Sequence, residues 1–238
     1  MDRFIRTEAL IGASGMEKLH NAHCVLVGLG GVGGHALEGL VRAGIGRITA
    51  IDGDQISLTN CNRQLLATEE TIGKSKVEAA AERMLSINPA LQWEGICQFI
   101  GKEPPCPLPK QASFIIDCID DAEAKVFLAC WCREHQIPLI MSMGTGNRLS
   151  SEGLKIANFK NTEGCPLAKK MRYLLKEDFK KVRCLYSAAP TVAVSPIDDS
   201  GKRTVGSISF VPSVAGLKLA EYVVNALLQN KESEDIPE

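Results

Sequence analysis

The chain has 238 residues, 45% hydrophobic and 23% charged. That composition excludes wholesale disorder and fits one large domain, or one domain with an appendage. With 27 basic and 28 acidic residues the formal charge is −1, which excludes a polybasic nucleic-acid binder and leaves room for a local basic patch.

Residues 1–21 read as a lead-in with a helix near Met16-Glu17-Lys18-Leu19. Cys24–Val27 is a buried strand, a glycine-rich loop follows, and an apolar helix runs to Ala43. Gly44 and Gly46 punctuate the turn into a second strand, Arg47–Ile51. A polar loop spans Asp52 to Gln64, and the apolar spacing of Val77, Ala80, Ala81, Met84 and Leu85 predicts a helix over 74–86. A strand at 93–97, a proline-rich loop at 103–109, a strand at 114–117, a helix at 122–135 and a strand at 139–142 come next. Beyond Gly144 the pattern changes: a basic helix at 166–177, a strand at 204–211, a closing helix at 214–228 and a frayed acidic tail at 231–238. The alternation predicts an α/β fold, a Rossmann-like, mostly parallel sheet flanked by helices, with a C-terminal extension completing the sheet and the substrate face. No apolar run approaches the roughly 18 residues of a membrane span, and the first residues lack the apolar stretch of a signal peptide. A cytoplasmic protein with no membrane partner is the expectation.

The nine cysteines form no C-x-x-C pair, so neither a disulfide framework nor a structural zinc site is expected. Cys184 lies among cations that could lower its pKa, although burial is the commoner fate of a free cysteine.

Gly28, Gly30, Gly31 and Gly33 sit between a strand and a helix. There they let backbone approach a phosphate at the positive end of the helix. Asp52 closes the second strand, where a carboxylate can take ribose hydroxyls. These features indicate a nucleotide and do not separate a nicotinamide cofactor from ATP. The next residues favour ATP. Asp54, Asn60, Asn62, Arg63 and Gln64 crowd behind the acid, and Lys76 opens a helix where an anionic partner would rationalise a cation. Asp120 and Asp121 follow the 114–117 strand, where an open α/β sheet binds ligands and a carboxylate could hold Mg²⁺.

Five runs of residues carry a resemblance: Gly28-x-Gly30-Gly31-x-Gly33, Ile51-Asp52-x-Asp54, Asn60-x-Asn62-Arg63-Gln64, Gly73-x-x-Lys76 and Asp117-Cys118-x-Asp120. Over residues 1–145 the chain resembles the bacterial ubiquitin-activating-enzyme family, the ThiF, MoeB and HesA group, which adenylates carboxylates with Mg-ATP. The resemblance implies an ATP-binding adenylation core at 1–145. It implies that Gly31 backs the nucleotide, Asp52 binds ribose, Asn60, Arg63 and Lys76 bind phosphates, and Asp120 holds Mg²⁺. Arg63, Lys76 and Asp120 are then the catalytic residues. Arg6 resembles an arginine that reaches a partner subunit's ATP, which implies a homodimer.

The missing C-x-x-C pairs depart from the sulfur-carrier members. Gly144-Thr145-Gly146-Asn147, Cys165-Pro166-Leu167-Ala168-Lys169, Arg172-x-x-Leu175-Lys176, Val182-x-Cys184-x-Tyr186-Ser187 and Phe210–Gly216 instead resemble the branch that dehydrates threonylcarbamoyladenosine in tRNA. The usual glutamate after Tyr186-Ser187 is replaced here by Ala188-Ala189. This likeness implies a tRNA-facing part at 146–230, allows a monovalent cation and sulfur-transfer partner proteins, and needs no catalytic thiol. The competing readings are an adenylyltransferase for a sulfur carrier, a nicotinamide-dependent oxidoreductase and a non-catalytic ATP-binding scaffold.

Charge supplies a separate observation. Between Lys155 and Arg183 stand nine basic residues and three acidic ones, an asymmetry suited to a phosphate backbone. Lys169, Arg172 and Lys176 share a helix face by spacing, with Lys170 beside them. A solvated helix face would give the same pattern.

Overall fold

The computed structural model describes residues 2–101, 106–175, 179, 182–193 and 205–229. Its strands are β1 (His23–Val27), β2 (Arg47–Ile51), β3 (Gln92–Ile96), β4 (Phe114–Asp117), β5 (Leu139–Ser142), β6 (Leu154–Asn158) and β7 (Arg183–Ser187). They form one sheet in the order β3-β2-β1-β4-β5-β7-β6, with every pair parallel except β6 with β7. The helices are α1 (Ile5–Asn21), α2 (Gly33–Ala43), α3 (Lys76–Ile87), α4 (Ala122–Glu134), α5 (Pro166–Leu175) and α6 (Phe210–Gln229).

The central strands are apolar on both faces because both faces are covered. Successive side chains point to opposite sides. Cys24, Leu26, Phe114 and Ile116 join the core layer of α2 and α6, while Val25, Val27 and Ile115 join that of α4 and α5. The strand order reverses between β1 and β4. At such a switch point the loops leaving neighbouring strands diverge and open a crevice.

The lead-in helix is longer than its periodicity announces, running from Ile5 to Asn21 across a break at Gly12 (φ 72°, ψ 169°). No strand forms over 205–211: residues 205–208 are irregular and α6 begins at Phe210. Pro212 sits in the first helical turn, where its missing N–H costs nothing. β6 and β7 carry no local pattern strong enough to announce them. β6 is mostly half-exposed, and β7 is buried yet bounded by polar Arg183 and Ser187. α6 also corrects the membrane count. Its 20 residues, with a mean hydropathy of 1.2 over its most apolar window, are long and apolar enough by composition to cross a membrane. In this fold it is a core helix whose Ala215, Leu219, Val223 and Ala226 pack in the layer it shares with α2. Residues 103–105, Thr204 and the tail lie outside the described residues.

Candidate active site

A cleft of about 850 Å³ opens at the C-terminal ends of β1, β2 and β4. Its floor is the glycine loop. Gly28 has φ +91°, and a Cβ there would stand 2.8 Å from the Cys118 carbonyl oxygen. A Cβ on Gly33 would fall 1.8 Å from the Gly28 carbonyl oxygen, so only glycine lets the loop close onto α2. Gly28, Gly30 and Gly31 line the cleft, and Gly33 supports it from below. The Gly34 N–H to Gly30 carbonyl bond (3.0 Å) starts the helical ladder, and the Gly28 and Leu29 N–H groups donate to the Ile51 carbonyl and to Asp52, leaving those of Gly30 to Gly33 for an anion. Replacing Gly33 by alanine should therefore abolish measurable binding of the expected nucleotide, ATP, by calorimetry and cost more than the ~1–3 kcal/mol of ordinary overpacking in thermal unfolding. An alanine variant that binds ATP like the wild type would refute this account of the loop.

Asp52 is buried and braces that loop. Its Oδ2 accepts from the Leu29 N–H (2.6 Å), and its Oδ1 from the Asp54 N–H (2.8 Å). Lys76 follows the Ser75 N-cap at the start of α3, and its Nζ lies 2.6 Å from Asp54 and 3.6 Å from Asp52. Two carboxylates thus offset a cation placed at the unfavourable end of a helix dipole.

The loop after β2 makes a short helical turn at Leu58–Asn60. The Asn60 side chain accepts from the Ser57 N–H (3.1 Å), which shapes the turn. Arg63 Nη1 donates to the Thr59 carbonyl and to Asn62 Oδ1, while Asn62 Nδ2 donates to the Ser207 carbonyl (3.0 Å). Arg63, Asn60 and Gln64 line the cleft; Asn62 does not, and works as a brace between Arg63 and Ser207. Gln64 is buried, and its Oε1 has no partner among the described residues.

Across the cleft, the two carboxylates after β4 divide their work. Asp121 caps α4 by accepting from the Ala124 N–H (2.8 Å), whereas Asp120 is exposed on the cleft wall. Beneath them Asp117 Oδ1 accepts from the Ile119 N–H (2.9 Å) and from Lys125 Nζ (3.0 Å), and Lys125 also reaches the Ser142 carbonyl (2.8 Å). Asp117 and Lys125 are both fully buried. Burial raises the Asp117 carboxyl above its usual range, with Lys125 opposing the shift. Among the described residues no group of three or more His, Cys, Asp or Glu side chains gathers to hold a metal.

The structure adds cleft residues that spacing does not reveal. The Phe99 ring lies over Gly53, where a Cβ would meet it at 2.6 Å, and Gln98, Thr145, Ser207 and Pro212 complete the walls. Thr145 and Pro212 fall within runs that carry the resemblance, whereas Gln98, Phe99 and Ser207 belong to none of them; the fold brings them in from β3, β5 and α6.

Other expected site residues lie elsewhere. Arg6 is exposed on α1 and does not line its own chain's cleft. Lys169 and Lys170 are exposed on α5. Arg172 is corrected: it turns inward and donates to the Thr162 carbonyl (2.8 Å) and hydroxyl, so it does not join an outward basic row. Lys176 lies outside the described residues. Cys184 is also corrected. It is buried in β7, and desolvation pushes its pKa up to about 12, so neighbouring cations do not make it a thiolate.

A glycine loop at the switch point of a mostly parallel sheet, with an acid, an arginine and a lysine converging on it, defines a nucleotide-binding α/β protein. The chain belongs to the ThiF family, whose family model matches residues 2–236. It is 35% identical over 246 residues to the tRNA threonylcarbamoyladenosine dehydratase of Bacillus subtilis, covering 98% of this chain and 97% of that protein. The crystal structure of the E. coli tRNA N6-threonylcarbamoyladenosine dehydratase in complex with AMP superposes with a TM-score of 0.84 at 30% identity, over 96% of this chain and 94% of that one. That enzyme has also been solved with ATP. The molybdopterin-synthase adenylyltransferase of Salmonella typhimurium is a more distant relative, 31% identical over 152 residues, or 63% of this chain and 59% of that protein.

Proposed function

We propose that this chain is an ATP-dependent tRNA threonylcarbamoyladenosine dehydratase. The observation that carries the reading is a likeness to such enzymes running the whole length of the chain, through a cleft built for a nucleotide. Residues 1–145 form the ATP-binding core and residues 146–230 the part facing tRNA.

The proposed roles follow the geometry. The glycine-loop backbone at Gly31 receives the nucleotide, Asp52 takes the ribose, and Asn60, Arg63 and Lys76 hold the phosphates. Arg63 donates internally only through Nη1 among the described residues, so its remaining donors are available to a polyphosphate. The threonyl carboxylate attacks the α-phosphorus, pyrophosphate leaves and an acyl-adenylate forms. A neighbouring nucleophilic group of the modified base, giving up its proton, then attacks the acyl carbon, AMP leaves and a ring closes, so the net loss is one water. Arg63 and Lys76 stabilise charge as it grows on the phosphates. Asp120, a carboxylate free of internal bonds among the described residues at the edge of a phosphate site, fits Mg²⁺, which commonly takes one or two carboxylates plus phosphate oxygens. That ion would supply charge neutralisation on the polyphosphate. Arg6 points to a homodimer in which it serves the partner's cleft. A cytoplasmic location and contacts with sulfur-transfer proteins belong to the same reading.

Incubated with Mg-ATP and tRNA carrying threonylcarbamoyladenosine, the protein should convert that nucleoside to one lighter by one water, seen by mass spectrometry after digestion. ATP–pyrophosphate exchange driven by a carrier protein's C-terminus, with the nucleoside unchanged, would move the assignment to a sulfur-carrier adenylyltransferase.

A further inference from the structure

Helix α5 divides its 10 residues between two environments. Ala168, Met171 and Leu175 are buried in the core layer beside α4. Lys169, Lys170, Tyr173 and Leu174 face water, and Tyr173 keeps 83% of its surface exposed. Tyr173 lies three and four positions after the two lysines, so both ammonium groups flank one phenol ring. Among the described residues, neither lysine joins an ion pair and no ring covers Tyr173. The helix contains no acid. Its start adjoins the cleft: Cys165 Sγ lies 4.0 Å from the Gly144 carbonyl oxygen, and the next residue, Thr145, lines the cleft wall.

We propose that this face is a stacking platform for an unpaired base of the tRNA loop that carries the modified nucleoside. Tyr173 takes the base on its ring, and Lys169 and Lys170 take the phosphates on either side. The proposal rests on the tRNA reading above and deepens it. A tyrosine alone would suit a protein partner equally well. Paired lysines favour RNA, because lysine is depleted at protein interfaces whereas single-stranded RNA uses cations and aromatic rings together. Base recognition by a ring needs a splayed, unpaired loop, so the platform discriminates against duplex RNA.

The test uses the full chain and two labelled RNA probes, a hairpin carrying an anticodon loop and a blunt duplex of the same stem. Binding is followed by fluorescence anisotropy at several salt concentrations. Tyr173→Ala should weaken hairpin binding roughly tenfold, with duplex binding and the salt slope unchanged, and Tyr173→Phe should bind within about twofold of wild type. The Lys169→Ala/Lys170→Ala variant should instead flatten the salt slope. Because Tyr173 is exposed, its variants should melt like wild type. Equal hairpin affinity for Tyr173→Ala and wild type overturns the platform; if wild type still removes water from tRNA, the dehydratase reading stands without it. A wild-type chain that neither binds the hairpin nor removes water from tRNA defeats both.

Discussion

Lys76→Ala should lower ATP-dependent water loss from tRNA by about 10²–10³, the range seen when one preorganised charge-stabilising donor is removed from an active site. The thermal midpoint should move little. The two effects separate because of how the lysine is held. Asp52 stays fixed by the Leu29 and Asp54 N–H groups whether or not the lysine is present. The partner that Lys76 grips most closely, Asp54, has a side chain 53% exposed, so that carboxylate keeps its hydration when the lysine is gone. The ammonium can therefore exchange that carboxylate for a phosphate at small cost. Turnover timed by mass spectrometry, with melting curves alongside, checks both halves. A variant within threefold of wild-type turnover removes Lys76 from the phosphate site.

Lys125→Met is expected to destabilise the fold by about 3–5 kcal/mol at neutral pH, because it strands the buried Asp117 carboxylate. Among the described residues Asp117 Oδ2 has no partner even in the intact pair, so the ammonium is the principal compensation for that charge. The pH dependence follows from the sign of the shift. Burial already raises Asp117 in the folded chain, and removing Lys125 raises it further. A raised native carboxyl binds its proton at a pH where the unfolded chain has released it. The stability it contributes is fully present below the unfolded value of about 3.9 and is lost as pH rises through the folded value. The defect in Lys125→Met should accordingly shrink as the pH is lowered from neutrality toward the unfolded carboxyl value of about 3.9, read by urea unfolding. Adding Asp117→Asn should recover much of it, since the amide oxygen can still accept from Ile119. A defect that grows on acidification would show that the loss comes from packing and not from a stranded charge.

The nucleotide half of the molecule was legible because its signals are local. The buried strands, the glycine loop, Asp52 and the Ser75-Lys76 helix start each declare themselves within a few residues. The second half is held by bonds between distant segments. Asn147 exchanges two hydrogen bonds with Gly206, and Asn62 reaches Ser207 across 145 residues. No window of the sequence contains both partners, so the segment at 205–208 could be misread as a strand. Spacing placed Arg172 on an outward face with Lys169, but spacing cannot see that Thr162 offers two oxygens on the inner side. Lys125 likewise reads as an ordinary helix cation, because nothing local announces an acid beneath it. For Cys184 the sequence offers two readings, activation by neighbouring cations and the burial usual for a free cysteine, and the sheet that surrounds it decides for burial.

The seating of α6 has a temporal consequence. A Cβ on Gly216 would lie 2.3 Å from the Val32 carbonyl oxygen, and Pro212 presses against Gly31 while lining the cleft. A helix synthesised long after the glycine loop is therefore one of that loop's walls. Domains are made from the amino terminus onward, and until residues 210–229 emerge the nascent chain carries a glycine loop without its cover and an α2 whose apolar side faces water. Nucleotide capture is thus deferred until that segment has left the ribosome and packed. A ribosome stalled before that point would display an apolar surface suited to a chaperone, and the finished enzyme would acquire its ligand in the same event that buries that surface.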